Sequence, residues 1–424
     1  MVTSDLLASD LPTLQNAERV YVGYSGGLDS QTLLHAVVAV LGAEKVTALH
    51  INHQISANAD AWQAHCAEQC RQLGVQLQAF RVNLDSNENT ELAARNARYQ
   101  VFESALRTNE LLLLAHHADD QAETVLYRLM RGAGPRGLAG IPRSRPLGKG
   151  QLLRPLLDIS RQDIQRYAQS HNLNWVEDES NQQLDYDRNY LRHQVLPALE
   201  TRWPDATKRL GQVSTLCHDT DQLNQRLAAI DLDVAEVRRE RFGVSIQQSV
   251  LANMDIARRH NLIRYWCEQS GYSLPAKTRL ESIHSNLLDA QQDASPIIDF
   301  GDCQLHRYNQ RIYLLPPLPA PPAIGTEINW DGNQPLHIEG CGKLFAAKPF
   351  AKPVIVRFRQ GGERCQPQGR NSSQTLKKLL QEYHLEPWLR QRVPLIYNTT
   401  GQEIIAVAGL FTSTGWPCFD WQVA

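Results

Sequence analysis

The chain has 424 residues, 42% of them apolar and 21% charged, and a net charge of −2. Such a composition supports two or three packed cores and excludes both a disordered chain and a strongly basic, sequence-blind nucleic-acid binder. No apolar run approaches the roughly 18 residues of a membrane span, and Met1-Val2-Thr3-Ser4-Asp5 opens no leader pattern, so a cytoplasmic protein without a membrane partner is expected.

In chain order, strand-like apolar runs recur at 19–24, 46–51, 75–82 and 111–115, with helical patterns between them at 30–41, 57–73 and 90–107. Spacings of this kind are those of βαβ units, which predicts a doubly wound α/β domain with a parallel sheet and ligands at the carboxyl ends of its strands. The run Leu111-Leu112-Leu113-Leu114-Ala115 is apolar on both faces, as a central strand is. From Asp158 to Leu288 the pattern is helical, and short strand-like pieces follow at 297–300 and 311–315. Pro316-Pro317-Leu318-Pro319-Ala320-Pro321-Pro322 reads as an extended connector. Beyond it a small α+β segment is expected, with strands at 354–358, 393–397 and 403–408 and a helix near 373–383.

The near-neutral total hides an asymmetry. Residues 1–127 carry −8 and residues 128–210 carry +5, while 211–330 carry −3 and 331–424 carry +4. Two separated basic segments suggest a polyanion touched at two places. The eight cysteines, at 66, 70, 217, 267, 303, 341, 365 and 418, form no Cys-x-x-Cys pair, so a zinc or iron-sulfur site is not expected. Cys66 and Cys70 share a helical face and read as small buried residues.

Chemistry concentrates first in Ser25-Gly26-Gly27-Leu28-Asp29-Ser30, between the first strand and a helix start. Adjacent glycines let the backbone approach an anion, the first-turn amides and helix dipole attract it, and the hydroxyls of Ser25 and Ser30 add donors. A carboxylate in such a cradle needs a cation between it and phosphate, which makes Asp29 a magnesium holder. The Walker string Gly-x-x-x-x-Gly-Lys-Ser/Thr is absent. The second constellation, His116-His117-Ala118-Asp119-Asp120-Gln121-Ala122-Glu123-Thr124, follows the strand at 111–115 and therefore falls at the same sheet edge. With a helix start near Ala118, Asp119 and Glu123 share a face, and three carboxylates near a phosphate site call for cations, either magnesium or an amine substrate. Arg95 and Arg98, three apart in one helix, suit phosphate oxygens. Arg131 opens a glycine-rich basic loop, Arg154-Pro155-Leu156-Leu157 closes the sheet region, and Glu177-Asp178-Glu179-Ser180-Asn181 leads into Tyr186-Asp187-Arg188-Asn189-Tyr190-Leu191-Arg192.

Together these strings resemble a known family. The Ser-Gly-Gly-x-Asp-Ser loop is similar to that of the PP-loop ATP pyrophosphatases. The strings at 93–99, 117–124 and 178–192, with Arg-Pro-Leu-Leu, resemble in order and spacing the tRNA(Ile)-lysidine synthetases over the first 215 residues. Arg357-Phe358-Arg359-Gln360-Gly361-Gly362-Glu363 and Leu376-Lys377-Lys378-Leu379-Leu380 resemble that family's carboxyl-terminal domain. One departure is Gln54, which stands where relatives usually place Gly.

The resemblance implies three domains: a PP-loop ATP-binding catalytic domain at 1–215, a mainly helical middle domain with short strands at 216–345, and a small α+β tRNA-binding domain at 346–424. It implies that ATP, with Mg2+, adenylates the C2 carbonyl oxygen of the wobble cytidine in a tRNA(Ile) with a CAU anticodon. The ε-amine of free L-lysine then displaces AMP. Ser25, Gly26, Gly27, Leu28, Asp29, Ser30 and Arg98 would bind the nucleotide, with Asp29 as metal ligand. Asp119, Asp120 and Glu123 would face the amino acid, one as base. Arg192 would hold phosphate or the adenylate, and His117 would orient either the triphosphate or a carboxylate. Arg131 and Arg154, among the basic residues at 131–154, would approach the anticodon stem, Arg95 and Asn189 would bind substrate, Lys377 and Lys378 would meet a second part of the tRNA, and a second copy of the chain is a further candidate partner. Competing readings are a PP-loop tRNA thiolase, which needs paired cysteines, a PP-loop amidotransferase, which needs a glutaminase domain or an N-terminal cysteine, and a non-enzymatic nucleotide-binding protein.

Overall fold

The computed structural model describes residues 6–54, 58–82, 90–177, 187–289, 291, 294, 296–350 and 352–423. Met1, Val2, Thr3, Ser4, Asp5, Asp178, Glu179, Ser180, Asn181 and Tyr186, quoted in the strings above, lie outside the described residues. The chain divides into two compact units, Met1–Leu223 and Asn224–Ala424.

The first unit is built on a six-stranded sheet of order β3-β2-β1-β4-β6-β5. Its strands are β1 (Arg19–Gly23), β2 (Val46–Asn52), β3 (Gln76–Arg81), β4 (Glu110–Leu113), β5 (Ser144–Leu147) and β6 (Gly150–Leu153). Pairing is parallel from β3 through β6, and only the edge strand β5 runs antiparallel, as a hairpin with β6. The expected runs fall where the apolar pattern put them. The hairpin was not expected, because its strands are four residues each and β5 contains Pro146, a residue an edge strand tolerates because it needs no donor there.

A short helix, α1 (Leu11–Asn16), precedes β1, and longer helices cover both faces of the sheet. On one, α2 (Leu28–Leu41) buries Leu33, Leu34 and Val37, α3 (Ala59–Leu73) buries Cys66 and Cys70, and α6 (Arg161–Ser170) adds Ile164 and Tyr167. On the other, Phe102 and Leu106, at the end of α4 (Thr90–Ala105) and just beyond it, meet Tyr21, Leu49, Leu112 and Leu152. The helix α5 (Ala118–Met130) starts just beyond β4 and packs through Ala122 and Leu126 against Leu191 and Leu196. Consecutive strands run from β1 outward through β2 to β3, and then return to the other side of β1 with β4. The adjacent carboxyl ends of β1 and β4 are thus the point where strand order reverses, which in open α/β sheets is where ligands bind. Gln54, just past β2, has φ 55°, and its amide donates to Asn52 Oδ1 at 3.0 Å. A left-handed backbone is what glycine supplies most cheaply, so Gln54 carries a strain that a glycine there would not.

In the second unit, β7 (Arg238–Arg239), β8 (Val244–Gln247), β9 (Ile297–Asp299), β10 (Gln304–Tyr308) and β11 (Arg311–Leu315) form an antiparallel sheet of order β7-β8-β11-β10-β9. Against it packs a helix, Ile256–Gln269, through Leu262, Ile263, Trp266 and Cys267. The strands β7 and β8 interrupt what the sequence pattern presents as helix. They are too short, at two and four residues, for a period to register. The carboxyl-terminal part has the strands expected near 354–358, 393–397 and 403–408, and a helix at Leu376–Glu382. Unanticipated short strands at Glu327–Trp330, Leu336–Ile338, Gly342–Ala346, Phe411–Thr412 and Phe419–Gln422 join its larger sheets.

Candidate active site

The glycine loop leaves β1 and turns directly into α2, with Gly27 in the capping position. Gly26 has φ +84°, and a Cβ there would stand 2.8 Å from Cys66 Sγ, so both its conformation and its surroundings require glycine. The two serines differ from expectation. Ser30 is buried, and its Oγ accepts from the Ser25 amide at 3.2 Å and lies 3.0 Å from Ser25 Oγ and 3.1 Å from the Gly27 carbonyl. It braces the loop from inside, because all its hydrogen-bonding capacity is directed at loop atoms. Ser25 is exposed, and its Oγ lies 3.4 Å from the Gly27 amide.

His117 caps α5 and is 1% exposed. Its Nε2 is 3.7 Å from Asp29 Oδ2 and 3.5 Å from Asp120 Oδ2, and its Nδ1 is 3.5 Å from Asp119 Oδ2. Asp120 also accepts from the His117 amide at 3.1 Å, which ties the helix start to its third residue. Burial alone would lower the imidazole pKa, but Asp119, Asp29 and Asp120 outweigh it and push it up to about 10. His117 is therefore an imidazolium joining the glycine loop to the first turn of α5. For Asp29, burial raises the pKa, yet His117, Arg161 and Arg192 overcome that and hold it below the usual carboxylate range. Asp119 is held low in the same way, against burial, by His117 and by the Arg161 amide, which donates to Oδ2 at 2.9 Å. Arg161, the first residue of α6, had no signal in the sequence.

One turn on, Glu123 is fully buried and grips Arg192. Arg192 Nε is 2.6 Å from Oε1, Nη2 is 3.1 Å from Oε2, and the same Nη2 reaches Asp120 Oδ1 at 3.3 Å. Burial pushes the Glu123 carboxyl upward against the opposing pull of Arg192. Arg192 sits in a π-helical stretch, Leu191–Val195, that continues a short helix, α7 (Asp187–Tyr190). From α7, Arg188 donates to Thr124 Oγ1 at 3.1 Å, and Asn189 lies half-buried beside it. Asp29, His117, Asp119, Asp120, Glu123 and Arg192 are thus one contiguous chain of charges.

The remaining arginines are dispersed. Arg95 and Arg145 lie over the Tyr99 ring at 5.1 and 4.9 Å from its centroid. Burial, and then Arg95, lower the Arg98 pKa, and the charge of Arg98 helps burial to lower that of His53 to about 4. Arg131 is exposed at the far end of α5, about 20 Å along the axis from His117, and donates to Tyr127 Oη at 2.9 Å. Arg154 departs from the expected RNA contact. It is 3% exposed, with Nη1 2.6 Å from the Pro142 carbonyl and Nε 3.2 Å from His116 Nδ1, so it is a buried brace. In the second unit, Lys377 and Lys378 are exposed.

Among the described residues no group of three or more His, Cys, Asp or Glu is arranged to hold a metal ion. Asp29 nonetheless suits magnesium, which commonly takes one or two protein carboxylates and completes its shell with phosphate oxygens and water. Its Oδ1 is buried without a hydrogen-bond partner, a costly arrangement unless something binds it.

Comparison with known proteins agrees with this geometry. Residues 3–199 match the PP-loop domain, 247–313 the TilS substrate binding domain and 354–422 the TilS substrate C-terminal domain. A tRNA(Ile)-lysidine synthase of Alkalilimnicola ehrlichii is 41% identical over 97% of this chain and 94% of its own length. The chain belongs to the tRNA(Ile)-lysidine synthase family. Synthases of the same name from Coxiella burnetii and Pseudomonas fluorescens are each 39% identical, over 98% and 95% of this chain and 94% and 91% of theirs. Family membership disfavours the thiolase, amidotransferase and non-enzymatic alternatives. The eight cysteines are all free.

Proposed function

We propose that this site carries out the family's reaction, the ATP-dependent ligation of free lysine to C2 of the wobble cytidine in a tRNA(Ile) with a CAU anticodon, through an adenylated cytidine. The observation that carries the reading is the unbroken chain of charges from Asp29 through His117 to Asp120, Glu123 and Arg192, at the point where strand order reverses. The glycine loop offers the free amides of the α2 first turn to the triphosphate. Magnesium, held by Asp29, would neutralise charge on the departing pyrophosphate. His117 keeps Asp29 in place and ionised from behind.

The amine enters on the α5 side. Asp120 accepts from the His117 amide and from Arg192, and a carboxylate has further lone pairs, so it can still take an ammonium. The ammonium must lose a proton before it attacks. Asp120, partly exposed, is the carboxylate within reach of that proton, since Glu123 is fully buried with both oxygens on Arg192, and His117 and the Arg161 amide hold Asp119 low. Arg192, tied to both carboxylates, stands where an adenylate phosphate can be gripped. Since ATP, lysine and tRNA meet in the cytoplasm, the protein works there. No helix among the described residues is long and apolar enough to cross a membrane.

The test is incorporation of labelled lysine into a tRNA(Ile) transcript with a CAU anticodon, beside a transcript whose wobble base is uridine. Label confined to the first is expected. AMP and pyrophosphate release with no label in either would leave the adenylating site standing and the nucleophile misassigned.

A further inference from the structure

Two histidines follow β4, and their surroundings differ. His117 is enclosed by carboxylates, whereas His116 meets Arg154, whose Nε lies 3.2 Å from His116 Nδ1. A guanidinium has donors only and stays charged in proteins. The Nδ1 atom of His116 must therefore be an unprotonated acceptor, and the single ring proton must sit on Nε2. Arg154 is itself fixed, nearly fully buried, by the Pro142 carbonyl and by Tyr99. The charged groups facing His116 are Asp120 from α5, Arg154 after β6, Arg188 from α7 and Arg95 from α4. Burial, together with the three cations against one carboxylate, holds the imidazole down to about 4.

We infer that Arg154 is a positioning residue that locks His116 in its Nε2–H form and so makes it a neutral hydrogen-bond donor to the target nucleotide of the RNA substrate. This rests on the reaction proposed above. Of the three substrates, lysine's reacting end is an ammonium, a donor that three nearby guanidiniums repel. The triphosphate belongs at the glycine loop, beyond His117. The nucleotide, rich in carbonyl and phosphate oxygens, is the acceptor that suits both an N–H donor and a cationic surround. The arrangement also accounts for a buried arginine that has no carboxylate partner among the described residues.

The experiment measures kcat and KM for each substrate against pH from 5.5 to 8.5 in the wild type and in His116 and Arg154 variants. His116→Ala should raise the KM for tRNA about tenfold or more, as for loss of one buried hydrogen bond to substrate, and leave the KM for ATP and lysine unmoved. His116→Gln restores a donor near the Nε2 position, so its loss should be only about threefold. Arg154→Met frees Nδ1 to take a proton, and its activity relative to wild type should fall toward pH 6 along a new acid limb. That limb should vanish in the Arg154→Met, His116→Gln double variant, which has no imidazole to titrate. Arg154→Lys keeps a donor-only partner and should lack the limb. A tRNA KM in His116→Ala equal to wild type, or an Arg154→Met pH profile parallel to wild type, would overturn the inference. If Arg154→Met does not fold, the His116→Ala and His116→Gln comparison decides alone. A wild-type enzyme that forms no lysidine would overturn the proposed reaction instead.

Discussion

Glu123 and Arg192 meet across 69 residues of sequence in a forked ion pair, with Nε 2.6 Å from Oε1 and Nη2 3.1 Å from Oε2. Because Glu123 is fully buried, the pair joins two elements that share no sequence neighbourhood, α5 and the π-helical stretch. Removing one partner strands the other. Arg192→Met should cost roughly 3 kcal/mol of stability at neutral pH, the scale for breaking a buried pair, and should reduce lysidine formation at least about a hundredfold. Glu123→Gln with Arg192→Met should cost less than the sum of the two single changes, since neither charge is then left unpaired. Thermal unfolding of the full chain with all three variants checks this, and strict additivity would contradict it.

Two backbone positions are predicted to respond oppositely to substitution. Gly26→Ala places a methyl group 2.8 Å from Cys66 Sγ at φ +84°, and titration calorimetry should show ATP affinity at least about tenfold weaker. In a Cys66→Ala background part of that loss should return, since the contact is relieved but the left-handed strain is not. Gln54→Gly removes strain of about 1 kcal/mol, partly offset by glycine's extra entropy in the unfolded chain. The melting temperature should stay level or rise slightly, whereas Gln54→Val should lower it clearly.

These elements also show what the sequence made legible. The strands β1, β2, β3 and β4 and helices α2, α3, α4 and α5 each carry a long or apolar pattern, and topology alone brought the glycine loop and His117 to one sheet edge. The pairing of Glu123 with Arg192 was not legible, because a contact 69 residues apart leaves no periodic trace. The inward turn of Ser30 and the burial of Arg154 were hidden for a related reason: a motif states which residues are present, and packing decides which way they face. The strands β5 to β8 were missed because they are only two to four residues long and, unlike the equally short β4, carry no continuous apolar run.

The second unit holds a pH-sensitive core position. Burial lowers the His306 pKa to about 4, against a smaller upward pull from Asp299. The ring is 3% exposed, Nε2 lies 3.1 Å from Gln304 Oε1, and the centroid is 4.7 Å from that of Trp388. A folded pKa below the unfolded value means that the unfolded chain takes up the proton first. Stability is then fully present above about 6.5 and is lost as pH falls toward 4, by up to about 3 kcal/mol at 1.36 kcal/mol per unit. His306→Asn should flatten that part of the stability profile relative to wild type. Parallel curves for the two proteins between pH 7 and 4.5 would show that another group sets the acid limb.

On the helix Leu376–Glu382, Leu376, Leu379 and Leu380 are buried, which leaves Lys377 and Lys378 side by side on the exposed face. Their environments differ. Lys378 Nζ lies 3.8 Å from Glu382 Oε1, and Glu382 is itself held by Arg370 at 2.7 Å, while among the described residues Lys377 has no carboxylate partner. A lysine without an intramolecular partner gives up less to contact phosphate, so Lys377→Ala should weaken tRNA binding more than Lys378→Ala. Together the two changes should reduce the slope of log K against log salt by about 2, since each phosphate contact contributes close to one counterion. ATP affinity should not move, because the nucleotide is bound in the other unit. Filter binding across a salt series with the single and double variants checks the assignment. An unchanged slope with unchanged tRNA affinity would mean that the basic carboxyl-terminal segment meets its RNA elsewhere.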